Sequence, residues 1–442
     1  MNNHNMTLID LLKKHSIFMF FVYLILLVFL SSRYTQLVIY IPKIINKIIT
    51  VFLYIPFFIL LIKKIKNELL LKRTSHINLF FYIFCIYYIC ISIYRLFNKM
   101  EVKNNLYYTV ILLGSIGLED YIQDKYSLPK CKDLLFTDLS LIVIFILLYY
   151  SIYNLFLTNL IIYSPINENI IGIILILIFP ILIYMSNNTI SKFKRHFLFI
   201  SIAGCYIVVF TLGSRAIFCL FLAELLFLLF VNHHFKFDNS FIRWPALCSI
   251  ICVVLLYLCN IGSVQFNVYR EVSFLNYNNI LHLNVDDKTN DESKSITKNK
   301  NLPQSVDSQM NRADNMRNDL MNQSIAQFLE NPVFGTGKVL FIYKVGEENY
   351  VQSGHNAILE TLNCYGIFGT VLIMLYLSYK IKKSKLFGIK EIYKSYNIQL
   401  IYVISIMFFV ESMVEPIAYD ILVLPLYVIC ISSLIIFNAR KA

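Results

Sequence analysis

Three short segments of the 442-residue chain hold side chains whose types and spacing could do chemistry. The first is Thr211-Leu212-Gly213-Ser214-Arg215-Ala216, which sets an arginine between two apolar runs with almost no loop between them. Arginine near hydrocarbon is costly, so it faces protein, a polar cavity or lipid headgroups. Its planar fork also grips phosphate oxygens two at a time. The second segment holds Arg312 and Arg317 and runs into Asn331-Pro332-Val333-Phe334-Gly335-Thr336-Gly337. Taken alone, the two arginines also fit a solvated helix face. Gly335-Thr336-Gly337-Lys338 is not a P-loop, because Pro332 stands where its first glycine belongs and Val339 replaces the Ser/Thr. The third segment, Gln352 to Glu360, places His355, Asn356 and Glu360 at the mouth of an apolar run. On a helix Asn356, Glu360 and Asn363 share a narrow arc with His355 one step around, a pattern suited to a polar cavity. A lone histidine is also commonly a satisfied core residue.

The elements that must position these groups follow from composition. Apolar residues make up 58% of the chain and charged ones 15%, with a mean hydropathy of +0.64. Soluble domains average about 45–50% and about 25%, so the expectation is an all-α polytopic membrane protein. The formal charge of +12 does not indicate nucleic acid. Its Lys and Arg residues cluster between apolar runs, as cytoplasmic loops of helical membrane proteins do. Nearly all ten cysteines lie inside apolar runs and none form a CxxC pair, so neither a disulfide framework nor a zinc site is indicated. Asp286-Asp287 lacks the spacing and glycine of a calcium loop. No metal and no cofactor is expected.

A span needs about 20 apolar residues to cross about 30 Å of hydrocarbon. Twelve candidate spans fall at 16–32, 49–62, 77–97, 106–118, 134–157, 170–186, 197–213, 216–231, 244–261, 362–379, 398–414 and 416–437. The run 17–30 follows Lys13-Lys14 without a small-residue cleavage pattern and is read as an anchor, not a removable signal. The chain divides into N-terminal helices (1–196), helices with the Gly-Ser-Arg motif (197–261), a large exported loop (262–354) and C-terminal helices (355–442). Basic clusters at 63–66, 72–73, 192–195 and 380–394 are placed in the cytoplasm with both termini, and the loop 158–169, without Lys or Arg, outside. Arg33, Lys43, Lys47, Lys99 and Lys103 fall on the outer side and run against that rule. Within the exported loop, 284–309 is polar. Met316, Leu320, Phe328 and Leu329 then recur at helical spacing, which predicts an amphipathic helix over 311–330 ended by Asn331-Pro332. Asp138, Glu224, Glu411, Glu415 and Asp420 are acids inside or at the ends of spans and would serve a proton or ion pathway in a transporter.

In this order, the pieces resemble the O-antigen polymerase and O-antigen ligase superfamily of bacterial membrane glycosyltransferases. The resemblance rests on Gly213-Ser214-Arg215 opening a span, a long exported loop, and Arg317 fifteen residues before Pro332 of Asn-Pro-Val-Phe-Gly-Thr-Gly. His355-Asn356-x-x-Leu359-Glu360 and Gly366-Ile367-Phe368-Gly369 complete it. It covers roughly 197–379, with Met321 where the family often has Trp.

The resemblance implies a metal-independent enzyme that joins glycans at the periplasmic face of the inner membrane. Its donor would be an undecaprenyl-diphosphate-linked oligosaccharide, its surroundings membrane lipids, and a chain-length regulator protein a candidate partner. A polymerase would extend another lipid-linked repeat unit; a ligase would transfer polymer to lipid A–core. Arg215, Arg317 and Arg312 would hold the diphosphate, whose departure as a polyanion calls for positive charge. His355 would take the acceptor hydroxyl's proton, oriented by Asn356 or Glu360. The Asn-, Lys- and Asp-rich loop and the Phe-, Ile-, Tyr- and Asn-heavy composition favour the polymerase. A lipid-oligosaccharide flippase, the reading from a different class, would show internal repeats, and none is visible.

Overall fold

The computed structural model describes residues 15–30, 43–71, 76–98, 100, 102–126, 132–152, 168–188, 191–259, 305–345, 348–354, 356–383, 395–415 and 417–438. In chain order the helices are α1 (Ser16–Leu30), α2 (Lys43–Leu71), α3 (His76–Phe97), α4 (Lys103–Tyr126), α5 (Lys132–Ile152), α6 (Glu168–Asn188) and α7 (Lys192–Thr211). They continue with α8 (Arg215–His234), α9 (Ser240–Leu258), α10 (Ser305–Glu330), α11 (Ala357–Lys383), α12 (Tyr396–Ser412) and α13 (Val423–Asn438). Each of the apolar runs read from the sequence overlaps a helix, although 416–437 opens with a 3-10 turn (Ile417–Tyr419) and is α-helical only from Val423. Six helices among the described residues are long and apolar enough to cross a membrane. The amphipathic helix expected over 311–330 is α10, which begins at Ser305. The polar segment before it, 262–304, lies outside the described residues.

An antiparallel hairpin, β1 (Leu340–Val345) with β2 (Glu348–Ser353), follows α10 and is not foreseen by periodicity. Val339-Leu340-Phe341-Ile342-Tyr343 is a short continuous apolar run, and such a run does not distinguish strand from helix.

A helix that is apolar all round either faces lipid or has protein on every side. The second is the position of α6, buried without interruption from Ile171 to Ser186 and packed on α7, α8, α12 and α13. The outer helix α9 instead turns Trp244, Leu247, Ile251, Leu255 and Leu258 outward, as a lipid-facing surface does. The short, glycine-containing run 106–118 sits in a 24-residue helix, α4. Its glycines permit close approach to α2: a Cβ at Gly114 would lie 2.6 Å from Phe57 Cβ, and one at Gly117 2.6 Å from the Leu60 carbonyl oxygen.

Two features of this packing position the site. Helices α8 and α12 lie side by side, anchored at one end by the Tyr396 hydroxyl donating to Asn232 Oδ1 at 2.6 Å. Helix α11 is broken at Gly366, whose φ of 64° belongs to the region that favours glycine. A Cβ there would lie 2.1 Å from the Val333 carbonyl oxygen. The turn Asn331–Gly337 docks in the break and takes up its displaced backbone groups. The Ile367 and Phe368 amides donate to the Pro332 and Val333 carbonyls (2.8 and 3.2 Å), and the Gly337 amide donates to the Asn363 carbonyl (2.8 Å). Buried backbone groups must find such partners, so turn and break form one unit.

Candidate active site at the gathered helix ends

The turn between α7 and α8 shows why the first motif needs its residues. Gly213 adopts a φ of 80°, and the Tyr150 hydroxyl fixes the preceding Thr211 carbonyl at 2.5 Å. Ser214 caps α8, its Oγ accepting from the Ile217 amide at 3.5 Å. The same hydroxyl donates to Asn169 Oδ1, at the start of α6, at 2.5 Å. Asn169 Nδ2 donates to Glu415 Oε1, just beyond α12, at 2.8 Å. That carboxylate oxygen also accepts from Arg317 Nη2 of α10 at 2.8 Å. Three hydrogen bonds in series therefore tie the Gly-Ser-Arg turn to the arginine of the loop helix.

The third motif reaches the same place. Asn356 caps α11, its Oδ1 accepting from the Ile358 and Leu359 amides at 3.0 Å each. Its Nδ2 donates to the Met413 carbonyl at 3.0 Å. Residues 413–415 are thus a hub on which the starts of α6, α8 and α11 and the side of α10 converge. Three helix N-termini, each with partial positive charge, approach the hub that Arg317 joins, and Arg215 begins one of them. Arg215 is partly buried and makes no hydrogen bond or ion pair with another described residue. Glu411, one turn before Glu415, is buried within electrostatic reach of Glu415 and Arg317. Two arginines and two acids, Glu411 and Glu415, thus lie on the elements that meet at this hub.

Among the residues singled out from sequence, Arg317 and Asn356 bond directly to this hub, and Arg215 follows Ser214, which is tied to it through Asn169. Glu360 is fully buried in the first turn of α11, within electrostatic reach of Tyr419. Asn363 faces packing, not a cavity mouth: its Nδ2 donates to Ser324 Oγ at 2.8 Å, joining α11 to α10. Arg312 is on α10, its side chain outside the described residues, and His355 lies outside them altogether. Asn169 and Glu415 are the members that motif reasoning does not assign to the site. Glu415 carries a signal, an acid at the end of an apolar run. Asn169 carries none, being one amide in a polar loop. Among the described residues no group of three or more His, Cys, Asp or Glu side chains is placed to hold a metal ion.

The fold defines a multi-pass helical membrane protein whose candidate site lies where its helix ends gather. Residues 196–374 match the family model described as O-antigen ligase, consistent with the superfamily whose motifs the sequence resembles. The matched family does not by itself separate polymerase from ligase. No curated protein and no solved structure matches the chain.

Proposed function

We propose that the protein is a surface-polysaccharide polymerase. It joins undecaprenyl-diphosphate-linked repeat units at the periplasmic face of the inner membrane. The observation that carries the reading is the chain of hydrogen bonds Ser214–Asn169–Glu415–Arg317, which ties the Gly-Ser-Arg turn to Arg317 of a distant helix. In the proposed reaction the acceptor's sugar hydroxyl attacks the anomeric carbon of the donor. A new carbon–oxygen bond forms there, and the bond from that carbon to the diphosphate oxygen breaks. Undecaprenyl diphosphate leaves with the bonding electron pair, and the hydroxyl proton passes to His355.

Arg215 and Arg317, with Arg312, meet the charge that grows on the departing diphosphate. Asn356 or Glu360 orients His355. The two arginines and three helix N-termini supply positive charge at the leaving group without a metal ion in the scheme. The basic ends of α7 and α11 then face the cytoplasm and the hub faces outward.

A deletion strain tests the polymerase reading. Its lipopolysaccharide is expected to carry a single repeat unit on the core, visible as collapse of the ladder on a gel. Full-length polymer accumulating unattached on its carrier would make the protein the ligase.

A further inference from the structure

We infer that Arg95, on α3 and outside the family-matched segment, is a positioning residue for this site; the inference rests on the function proposed above. The guanidinium is fully buried. Its Nη2 donates to three carbonyl oxygens: Phe334 at 2.8 Å and Gly335 at 3.1 Å in the turn, and Cys364 at 2.6 Å in the break of α11. Asn105 of α4 adds a second donor to the Cys364 carbonyl at 2.9 Å, and the Tyr87 hydroxyl takes the neighbouring Tyr365 carbonyl at 2.5 Å. One nitrogen atom of an N-terminal helix thus pins together the two pieces of chain that set where α10 and α11 lie.

Stability alone does not call for an arginine here. Among the described residues no carboxylate pairs with it, and its Nε and Nη1 have no hydrogen-bond partner. A buried charge so placed is expensive, and an apolar side chain of similar volume is often neutral or better. What Nη2 supplies is geometry. The turn it holds ends the helix that bears Arg317, and the break it holds lies in the helix that Asn356 caps. Loosening the clamp lets Arg317 and the start of α11 move relative to one another, and misplacement by about 1 Å costs about a hundredfold in rate.

The test uses purified full-length wild type, R95M, R95K and N105A, with undecaprenyl-diphosphate-linked repeat unit as substrate. Rates are expressed per folded, monodisperse protein. R95M is expected to lower kcat by about 10- to 100-fold while KM for the donor moves less than about threefold, with R95K and N105A in between. Independently of turnover, the amides of Gly337, Ile367 and Phe368 should exchange hydrogen at least about tenfold faster in R95M, with α6 unchanged. Native exchange at those amides in R95M would overturn the clamp. Faster exchange with native kcat would overturn its role in positioning. If R95M does not fold, R95K and N105A are held to the same two criteria. Wild type that transfers no glycan refutes the functional reading, while the exchange data still decide whether Arg95 is a clamp.

Discussion

His355→Ala is expected to lower the rate of glycan transfer by about 10²–10⁴ while the amount of folded protein stays normal, the range that removal of a general base produces. A sugar hydroxyl is a poor nucleophile until its proton has somewhere to go, and histidine is the side chain that is readily both neutral and basic near pH 7. The residue next to it in sequence, Asn356, is bound to the Met413 carbonyl at the hub, two positions from the carboxylate that holds Arg317. His355→Gln keeps a hydrogen-bonding side chain without the basicity, so it should be nearly as inactive as alanine. Initial rates with purified variants at saturating lipid-linked donor provide the measurement. Near wild-type transfer by His355→Gln would remove the base role and leave only positioning.

Substitution of the arginines is expected to have the next largest effect. Loss of one charge-stabilising donor at a reacting centre costs about 10²–10³ in rate, and Arg317→Ala and Arg215→Ala should each fall in that range. Arg317→Lys should still lose at least about tenfold, because an ammonium cannot grip two phosphate oxygens as the planar fork does. Stability distinguishes this from a structural role. The Arg317–Glu415 pair is 41% exposed on the arginine side and 5% on the carboxylate side, and Asn169 still donates to that carboxylate when the arginine is removed. Arg317→Ala should therefore fold almost normally, and its lost rate reads chemistry. The exposed neighbour Asn318, changed to alanine, should retain the wild-type rate. Normal polymer length with Arg317→Ala would make Arg317 a solvated helix residue held by one ion pair.

What could be read from sequence was what is local. Hydropathy located the apolar runs, and helical spacing located α10, because a membrane helix and an amphipathic helix each declare themselves within about 20 residues. Gly213, Ser214 and Arg215 were readable together because turn, cap and functional residue are adjacent. The hub was not. Glu415 lies 98 residues from Arg317, and only the folded chain brings Asn169 to it. Arg95 was hidden for the same reason, since its acceptors are backbone carbonyls 239 to 269 residues away and carry no side-chain signature. The glycine of Gly366-Ile367-Phe368-Gly369 was visible as a motif. That it breaks α11 to receive the turn at Pro332 follows from contacts no spacing encodes.

The central claim, that this chain joins lipid-linked repeat units through an arginine-lined site without a metal ion, is tested most directly by reconstitution. Purified protein in lipid nanodiscs receives undecaprenyl-diphosphate-linked repeat unit as its only glycan, with a chelator present. The account predicts products lengthened by whole repeat units, one undecaprenyl diphosphate released per linkage, and a rate the chelator leaves unchanged. No lengthening until lipid A–core is supplied, or no transfer with either acceptor, would contradict it.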